Sequence, residues 1–186
     1  MTVPPSLPPW PASPPAHGPV VLREATAADL PMARELATDP YVPLIGTLPA
    51  HATDDEALAW IERNRGRWTE GRGFSFAIAE AATGRAVGQL GLWLTELPKG
   101  RAEIGYSIMP SARRRGYAAA ALTAATAFAW AIPELHRIEL HIEPWNTGSV
   151  RTAERAGYQR EGLLRSYQEI GGQRRDLLLY AAVRSG

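Results

Sequence analysis

The spacing of apolar residues predicts a chain that mixes strands with helices. Alternating or short apolar runs predict strands over residues 20–22, 74–79, 87–94, 103–109, 136–142, 163–170 and 174–183. Apolar residues at helical spacing predict helices over residues 29–36, 54–65, 117–131 and 146–156. The strand–helix–strand unit over residues 103–142 requires a right-handed crossover between parallel strands. The pattern therefore indicates an α+β fold: a mixed, mostly antiparallel seven-stranded sheet with one parallel strand pair and about four helices.

The first 18 residues differ from the rest of the chain because prolines crowd them. Proline fixes φ and lacks an N–H donor, so residues 1–18 are expected to form an extended, flexible tail. A simple linker and a proline-rich ligand for a partner both stay open for this segment. Residues 19–186 are expected to form one domain, since a chain of 186 residues fits a single folding unit.

The composition excludes several classes of site. The chain has no cysteine, which excludes disulfides, thiolate metal sites and a cysteine nucleophile and fits a cytoplasmic location. The net charge is only +1, so no nucleic-acid partner is expected. No apolar run is long enough to span a membrane and the N-terminus lacks a secretory signal, so no membrane partner is expected either.

An arginine-rich turn before the third predicted helix has the features of an anion site. A glycine permits a tight turn, and the helix after it begins with N–H groups that have no partner within the helix. These groups and the helix dipole favour a phosphate, and guanidinium groups add charge-assisted hydrogen bonds. The turn lacks the lysine of a P-loop and the three glycines of a dinucleotide motif. The candidate anion-binding residues are Arg113, Arg114, Arg115, Gly116, Tyr117 and Ala118.

Three further polar residues are candidates for chemistry. Asn146 and Ser149 lie three residues apart and share one face at a predicted helix start, although an asparagine there is also an ordinary N-cap. Glu103 lies on a predicted strand and is either an exposed partner of Arg101 or a general base. Both interpretations stay open for each of these residues.

Taken together, these segments resemble the GNAT N-acetyltransferase family. The turn matches the family's Gln/Arg-x-x-Gly-x-Gly/Ala motif at Arg113, Gly116 and Ala118. The segment that begins at Asn146 resembles the Asn-x-x-Ser segment of one branch, which includes enzymes that acetylate the N-terminal amine of ribosomal proteins. The resemblance covers about residues 19–184.

The resemblance implies a binding site for acetyl-CoA. In this family the donor lies where two parallel strands splay apart, which here are residues 103–109 and 136–142. The pyrophosphate is expected on the arginine-rich turn, and the pantetheine amides are expected to pair with the main chain of Ile108 and Met109. Asn146 is expected to contact the pantetheine arm.

The resemblance also implies direct transfer of the acetyl group to a primary amine, with no metal and no covalent enzyme intermediate. Glu103 is the expected general base for the amine, and Ser149 is expected to protonate or hydrogen-bond the departing sulfur. Many family members use a tyrosine for the second role. This chain has Glu154 at that position, so Ser149 is the first candidate and Tyr158 the second.

Several alternatives stay open for the acceptor, the donor and the assembly. The acceptor is a protein N-terminal α-amine or a small-molecule amine of the aminoglycoside type, and the donor is acetyl-CoA or a longer acyl-CoA such as succinyl-CoA. A non-catalytic module that senses acyl-CoA is a further alternative. For the assembly, a homodimer that pairs through the two final predicted strands, residues 163–170 and 174–183, is one possibility. The acceptor pocket is expected from residues 38–52, the helix after Thr53 and the turn at 171–172, and the aromatic candidates are Tyr41, Trp60, Trp68 and Trp93.

Overall fold

The computed structural model describes residues 7–184 of the chain. The strands are β1 (Ala16–His17), β2 (Val20–Arg23), β3 (Gly73–Glu80), β4 (Ala86–Trp93), β5 (Arg101–Ile108), β6 (Arg137–Ile142), β7 (Gln159–Ile170) and β8 (Gln173–Val183). The helices are α1 (Leu30–Leu36), α2 (Val42–Ile45), α3 (Asp54–Thr69), α4 (Tyr117–Ala129) and α5 (Thr147–Arg155). Within the described residues, no helix has both the length and the apolar character needed to cross a membrane.

All eight strands belong to one sheet, in the order β1-β2-β3-β4-β5-β6-β8-β7. Neighbouring strands are antiparallel except β5 and β6, which are parallel. The predicted mixed sheet with one parallel pair is therefore confirmed, with eight strands where the sequence predicted seven. The additional strand, β1, has two exposed residues, which is too short for an alternating pattern to reveal.

β5 and β6 separate soon after they begin. Their parallel register covers three residue pairs and ends at Glu103 and Glu139, although β5 continues to Ile108 and β6 to Ile142. Beyond those pairs, the facing edges of the two strands direct main-chain groups into a gap rather than at each other. We call this gap the splay.

Helices cover both faces of the sheet. On one face, α4 packs Phe128 edge-on against Phe74 and Phe76 of β3. On the other face, Arg67 of α3 lies against Gly91 of β4. The buried side of α4 includes Ala121, Ala125 and Ala129, whose small side chains let the helix lie close to the sheet.

Two helices differ from the prediction. Residues 38–52, over which the sequence predicted no regular element, contain the single-turn helix α2, which has a proline in its first turn. Proline is compatible with the first turn of a helix, but in the sequence it favours a loop. Helix α3 continues to Thr69 instead of about residue 65. Its last turn carries Trp68, which packs against Trp10, so a tertiary contact extends the helix.

The described part of the proline-rich segment lies against the domain. Trp10 packs against Trp68, Phe74 and Phe76, with ring centroids 6.2, 5.7 and 5.1 Å apart. The indole Nε1 of Trp68 donates a hydrogen bond to the carbonyl oxygen of Pro8 at 3.0 Å. Residues 1–6 lie outside the described residues, and the flexibility of the tail stays a prediction.

Replacing Trp10 is expected to destabilise the domain while leaving its active site intact. The change Trp10→Ala removes three aromatic contacts, so we expect a loss of about 2 kcal/mol in the free energy of unfolding. Urea denaturation measures it, with the exposed neighbour change Pro9→Ala as the control. Equal midpoints for Trp10→Ala and the unmodified protein would show that the segment does not pack on the domain in solution.

Candidate active site

A cleft of about 730 Å³ opens at the splay and passes beside the start of α4. Strands β5 and β6, the beginnings of α4 and α5, and the loop before α2 form its walls. Eight of the residues predicted from the sequence line it, namely Ile108, Arg113, Arg114, Gly116, Tyr117, Ala118, Asn146 and Ser149. The fold thus brings the arginine-rich turn and the start of α5 together, although some 30 residues separate them in the sequence.

The arginine-rich turn leaves N–H groups pointing out of the start of α4. Gly116 is the N-cap residue, and no side chain within residues 7–184 caps this helix. Gly116 has a φ of 80° and Arg114 a φ of 65°, both in the left-handed region. Such a conformation at an arginine costs about 1–2 kcal/mol and is typical of anion-binding turns, where successive N–H groups converge. The turn therefore has the geometry of an anion site.

The three arginines of the turn have different positions. Arg114 lines the cleft and is exposed, whereas Arg115 is exposed and lies outside the lining. Arg113 is engaged within the protein, because its Nε donates to the carbonyl oxygen of Ile108 at 3.0 Å and its Nη2 to Asp39 at 2.6 Å. Arg114 therefore presents its guanidinium to the cleft, whereas Arg113 holds the turn in position.

The side chain of Tyr117 also serves the scaffold. Its hydroxyl donates to a carboxylate oxygen of Glu80, on β3, at 2.7 Å. Hydrogen bonds from Arg85, Tyr117 and Thr83 lower the pKa of Glu80 to about 2, so this carboxylate stays ionised. The main-chain N–H of Tyr117, at the first position of α4, is the group of this residue that fits the predicted role.

Asp39 connects the turn to the loop before α2. It accepts hydrogen bonds from the main-chain N–H groups of Tyr41 and Val42 as well as from Arg113. Burial raises the pKa of Asp39, but the bonds from Val42, Tyr41 and Arg113 together outweigh it, so the pKa lies below its usual range. The ionised carboxylate of Asp39 therefore links the arginine-rich turn to the loop before α2. We call these hydrogen bonds the Asp39 clamp.

This clamp makes a testable contribution to stability. Asp39→Asn should cost roughly 1–3 kcal/mol at neutral pH, because it removes a charge-assisted hydrogen bond from a buried group. The lowered pKa means that the contribution is complete above the ordinary aspartate pKa of about 3.9 and is lost as pH falls through the folded-state value. Thermal melts of both proteins across pH measure it, with the exposed Asp55→Asn change as the control. A stability difference that persists at the lowest pH would contradict the clamp.

The two predicted main-chain partners of the donor are placed differently. The N–H of Met109 donates to the carbonyl oxygen of Val87 at 2.9 Å, so Met109 faces β4, and its side chain is buried. Alternate residues of a strand direct their main-chain groups to opposite neighbouring strands. The main-chain groups of Ile108 and Tyr106 therefore point towards the splay. The geometry places Ile108 at the cleft but not Met109.

Asn146 and Ser149 begin α5 beside the splay. The Oδ1 atom of Asn146 accepts a hydrogen bond from the N–H of Ser149 at 3.1 Å, so Asn146 is an N-cap as well as a cleft residue. Tyr158, the second candidate for the sulfur, is 3 % exposed and shares a 2.7 Å hydrogen bond with Thr126 in the core. It does not line the cleft. Glu154 accepts a hydrogen bond from Tyr180 and lies outside the cleft lining as well.

Glu103 lies next to the cleft rather than in its lining. Its carboxylate is exposed and is 3.3 Å from Nδ1 of His141, on the same face of the sheet. His141 does line the cleft, and its ring stacks on Tyr167 with centroids 5.1 Å apart. Sequence reasoning missed His141, although it lies two residues beyond the pair of Glu103 in a strand that was correctly predicted. Only the register of β5 with β6 reveals the contact.

The same face carries a buried carboxylate at the end of β6. Glu143 is 4 % exposed and lies 3.7 Å from Nε of Arg175. Burial, followed by the hydrogen bond with Glu143, raises the pKa of the Tyr41 phenol. The Tyr41 ring packs edge-on against the exposed Trp145, with centroids 4.8 Å apart. Tyr41, Glu143 and Trp145 therefore form one wall of the cleft.

Only one of the four aromatic candidates for the acceptor pocket lines the cleft. It is Tyr41, whereas Trp60 is a core residue and Trp68 packs under Trp10. Trp93 lies beneath Arg67, whose guanidinium carbon is 4.6 Å from the ring centroid. Ordinary packing therefore explains three of the four aromatics.

The cleft fits the phosphates, extended arm and thioester of acetyl-CoA. It combines an uncapped helix start and a guanidinium with an open strand edge, which are the groups that phosphates and amides require. Hydroxyl groups and a histidine lie further along it.

Comparison with known proteins shows which family the chain belongs to. Residues 20–159 match the family model described as the acetyltransferase (GNAT) domain. An uncharacterized N-acetyltransferase of Bacillus licheniformis, p20, is 26% identical over 165 residues, which are 89% of this chain and 93% of that protein.

Two solved structures are similar in sequence and in fold. One is RimJ of Mycobacterium smegmatis in complex with CoA-disulfide, which is 29% identical with a TM-score of 0.74 and covers 91% of this chain and 88% of its own. The other is a proposed ribosomal-protein-serine acetyltransferase of Vibrio cholerae, which is 26% identical with a TM-score of 0.73 and covers 94% and 99%. The chain belongs to the GNAT acetyltransferase family and is an acyltransferase with acetyl-CoA as co-substrate.

Proposed function

We propose that this enzyme acetylates a protein N-terminal α-amine, with His141 accepting the proton of the amine and Glu103 positioning His141. The observation that carries the proposal is the arrangement of the cleft. Ser149 of α5 and Tyr106 of β5 lie on one face of the sheet, whereas His141 of β6 and Glu143 after it lie on the opposite face. The cleft between β5 and β6 joins the two groups. A thioester in the splay is then accessible to an amine from the other face.

Donor binding follows from the start of α4. The N–H groups after Gly116 and the guanidinium of Arg114 meet the pyrophosphate, where the positive helix end favours negative charge. A pantetheine carbonyl accepts from the main-chain N–H of Ile108 in the manner of an added strand, since the Ile108 carbonyl oxygen already accepts from Arg113. The Oδ1 atom of Asn146 is already bonded, so its amide NH₂ group is the part that meets a pantetheine carbonyl.

Deprotonation of the amine is assigned to His141, with Glu103 as the group that positions it. An ammonium ion has no lone pair, so the acceptor must lose a proton before it attacks. His141 lines the cleft and Glu103 holds its Nδ1 side, which leaves Nε2 for the amine or a water. A carboxylate behind a histidine base is a recurrent arrangement, because it fixes the tautomer and stabilises the imidazolium. This assignment modifies the prediction that Glu103 itself is the base.

The acceptor end of the cleft favours an amine with an apolar body. Large exposed apolar residues lie at this end, namely Ile45 and Trp145 in the cleft lining and Tyr167 stacked on His141. Glu143 is the buried carboxylate of this end and is already close to Arg175, so a chain of several ammonium groups finds few counter-charges. A peptide N-terminus with apolar side chains matches this rim. The similarity to the Vibrio cholerae protein also supports a protein acceptor.

An acceptor panel tests the proposal. Peptides with a free N-terminus, the same peptides with an acetylated N-terminus and an internal lysine, spermidine and an aminoglycoside are each incubated with acetyl-CoA, and released thiol is measured. The proposal predicts turnover with the free-N-terminus peptides and little with the blocked ones. Faster turnover of spermidine or the aminoglycoside would replace the protein acceptor with a small amine. Succinyl-CoA in the same assay tests the longer donor.

A further inference from the structure

A bulge interrupts β7 near the turn that joins it to β8. The register of the two strands shifts between Leu164 and Gln168, so that residues 165–167 of β7 lie opposite the single residue Asp176 of β8. A bulge bends its strand and redirects side chains, and bulges are frequent next to active sites. The side chains of residues 165–167 therefore do not follow the regular alternation of the strand.

Hydrogen bonds from β8 hold the bulge in a strained conformation. Ser166 has a φ of 49°, in the left-handed region, which is unfavourable for a residue with a side chain. Its N–H donates to Oδ1 of Asp176 at 2.7 Å. The Nη2 atom of Arg174 donates to the carbonyl oxygens of Ser166 and Tyr167 at 2.6 and 3.2 Å. Backbone strain that neighbouring side chains maintain in this way is concentrated at functional sites.

The bulge places the ring of Tyr167 on the imidazole of His141. The two rings are stacked, with centroids 5.1 Å apart and an interplanar angle of 19°. β8 lies between β7 and β6, and neighbouring strands lie about 4.8 Å apart, so the main chain of a regular β7 lies about 10 Å from β6. The contact therefore depends on the departure of residues 165–167 from the regular strand.

Tyr167 and Glu103 contact two different sides of the imidazole. The carboxylate of Glu103 lies 3.3 Å from Nδ1, at the edge of the ring, and the Glu103 side chain is 56 % exposed. An exposed hydrogen bond alone fixes a side chain weakly, because water competes for both groups. Tyr167 covers a face of the ring, and the side chain of His141 is only 10 % exposed. Tyr167 itself lies outside the cleft lining, so its effect on the cleft passes through His141.

We propose that Tyr167 is a positioning residue for His141: its ring holds the imidazole with Nε2 turned towards the acceptor amine, and the bulge sets the place of the ring. This inference rests on the proposed function, in which His141 accepts the proton of the amine. A base acts only within hydrogen-bond reach of the proton that it takes, so an imidazole that rotates away from the cleft is inactive for part of the time. Tyr167 exchanges no proton and touches neither the donor nor the reacting atoms.

Replacing the ring of Tyr167 tests the inference. In Tyr167→Ala we expect kcat with a free-N-terminus peptide to fall about 10-fold, because the imidazole loses its stacking partner, while the dissociation constant for acetyl-CoA stays unchanged. Tyr167→Phe keeps an aromatic ring and should restore kcat to that of the unmodified protein. Asp176→Ala should lower kcat in part because it frees the bulge, whereas Asp176→Asn keeps an oxygen for the N–H of Ser166 and should not.

Two controls separate positioning from folding and from direct contact with the acceptor. Leu163→Ala removes another exposed apolar side chain of β7, before the bulge, and should leave kcat unchanged. The decisive measurement is a double-mutant cycle with His141→Ala. If Tyr167 acts through the imidazole, adding Tyr167→Ala to His141→Ala should lower the residual kcat no further.

Three results would overturn the inference and leave the proposed function standing. They are an unchanged kcat in Tyr167→Ala, a kcat in Tyr167→Phe as low as in Tyr167→Ala, and an equal loss from Tyr167→Ala with and without His141. The last result would mean that Tyr167 contacts the acceptor directly. A rate that does not respond to His141→Ala would overturn the assignment of the base, and this inference with it.

Discussion

A carboxylate at Ala118 is expected to abolish donor binding and to leave the fold as stable as before or more so. Ala118 is the second residue of α4 and lines the cleft where the pyrophosphate lies in the proposed complex. A negative side chain at a helix start stabilises the helix by about 0.3–1 kcal/mol. The same charge repels a phosphate a few ångströms away by up to about 4 kcal/mol at a typical surface dielectric. We therefore expect Ala118→Asp to weaken acetyl-CoA binding at least about 100-fold.

The opposite signs of the two effects make this prediction specific. Calorimetric titration with CoA measures the affinity, and thermal melts of the unliganded protein measure the stability. Ala118→Asn is the matched control, since it adds a side chain of the same size without the charge and should show a much smaller loss of affinity. If Asp and Asn weaken binding equally, the loss is steric and the pyrophosphate does not lie at this helix start. Unchanged binding in both variants would place the donor elsewhere.

Removal of the His141 imidazole is expected to slow acetyl transfer about 100-fold in kcat/KM, with little effect on donor affinity. General bases contribute about 100- to 10,000-fold, and solvent can replace part of the effect at an exposed cleft. Glu103→Gln should have a smaller effect, about tenfold, because it leaves the imidazole in place but weakens its orientation.

A matched control and a rescue separate catalysis from structure. His136→Ala removes an exposed imidazole one residue before β6 and should leave the rate unchanged. Free imidazole added to His141→Ala should restore part of the activity if the ring acts as a base. A larger loss in Glu103→Gln than in His141→Ala would return the role of base to Glu103, as the sequence alone suggested. An unchanged rate in both His141→Ala and Glu103→Gln would exclude both residues from deprotonation of the amine.

The sequence was most informative where short-range chemistry decides the structure. The position of the turn before α4 was predicted, because a glycine with a positive φ before a helix start is a local requirement that nearby residues indicate. Asn146 was predicted as an N-cap, since N-caps depend on three or four adjacent residues. The short strand β1 and the single-turn helix α2 were missed, because neither is long enough for a periodic pattern to emerge.

Side-chain roles within the site depended on contacts between distant segments. The sequence presented Arg113 and Arg114 as equivalent, but Asp39, 74 residues away, engages the first and leaves the second at the cleft. His141 gained its candidate role only from the register of β5 with β6, which brings it to Glu103. Tyr106 appeared in the sequence as a strand residue. Its hydroxyl is buried beside Ser149 and Thr152 only because α5 packs over this part of β5.

The sequence by itself determined the fold class and the position of the arginine-rich turn, because these follow from hydrophobic periodicity, capping and glycine geometry over a few residues. The resemblance of its motifs indicated the family. The tertiary structure alone decided which side chains face the cleft. It ended the pairing of β5 and β6 after three residues, assigned Arg113 to the scaffold, and placed His141, Glu143 and Tyr106 around the opening. The physical reason is that burial and hydrogen-bond partners are set by segments far apart in the chain, about which local patterns carry no information.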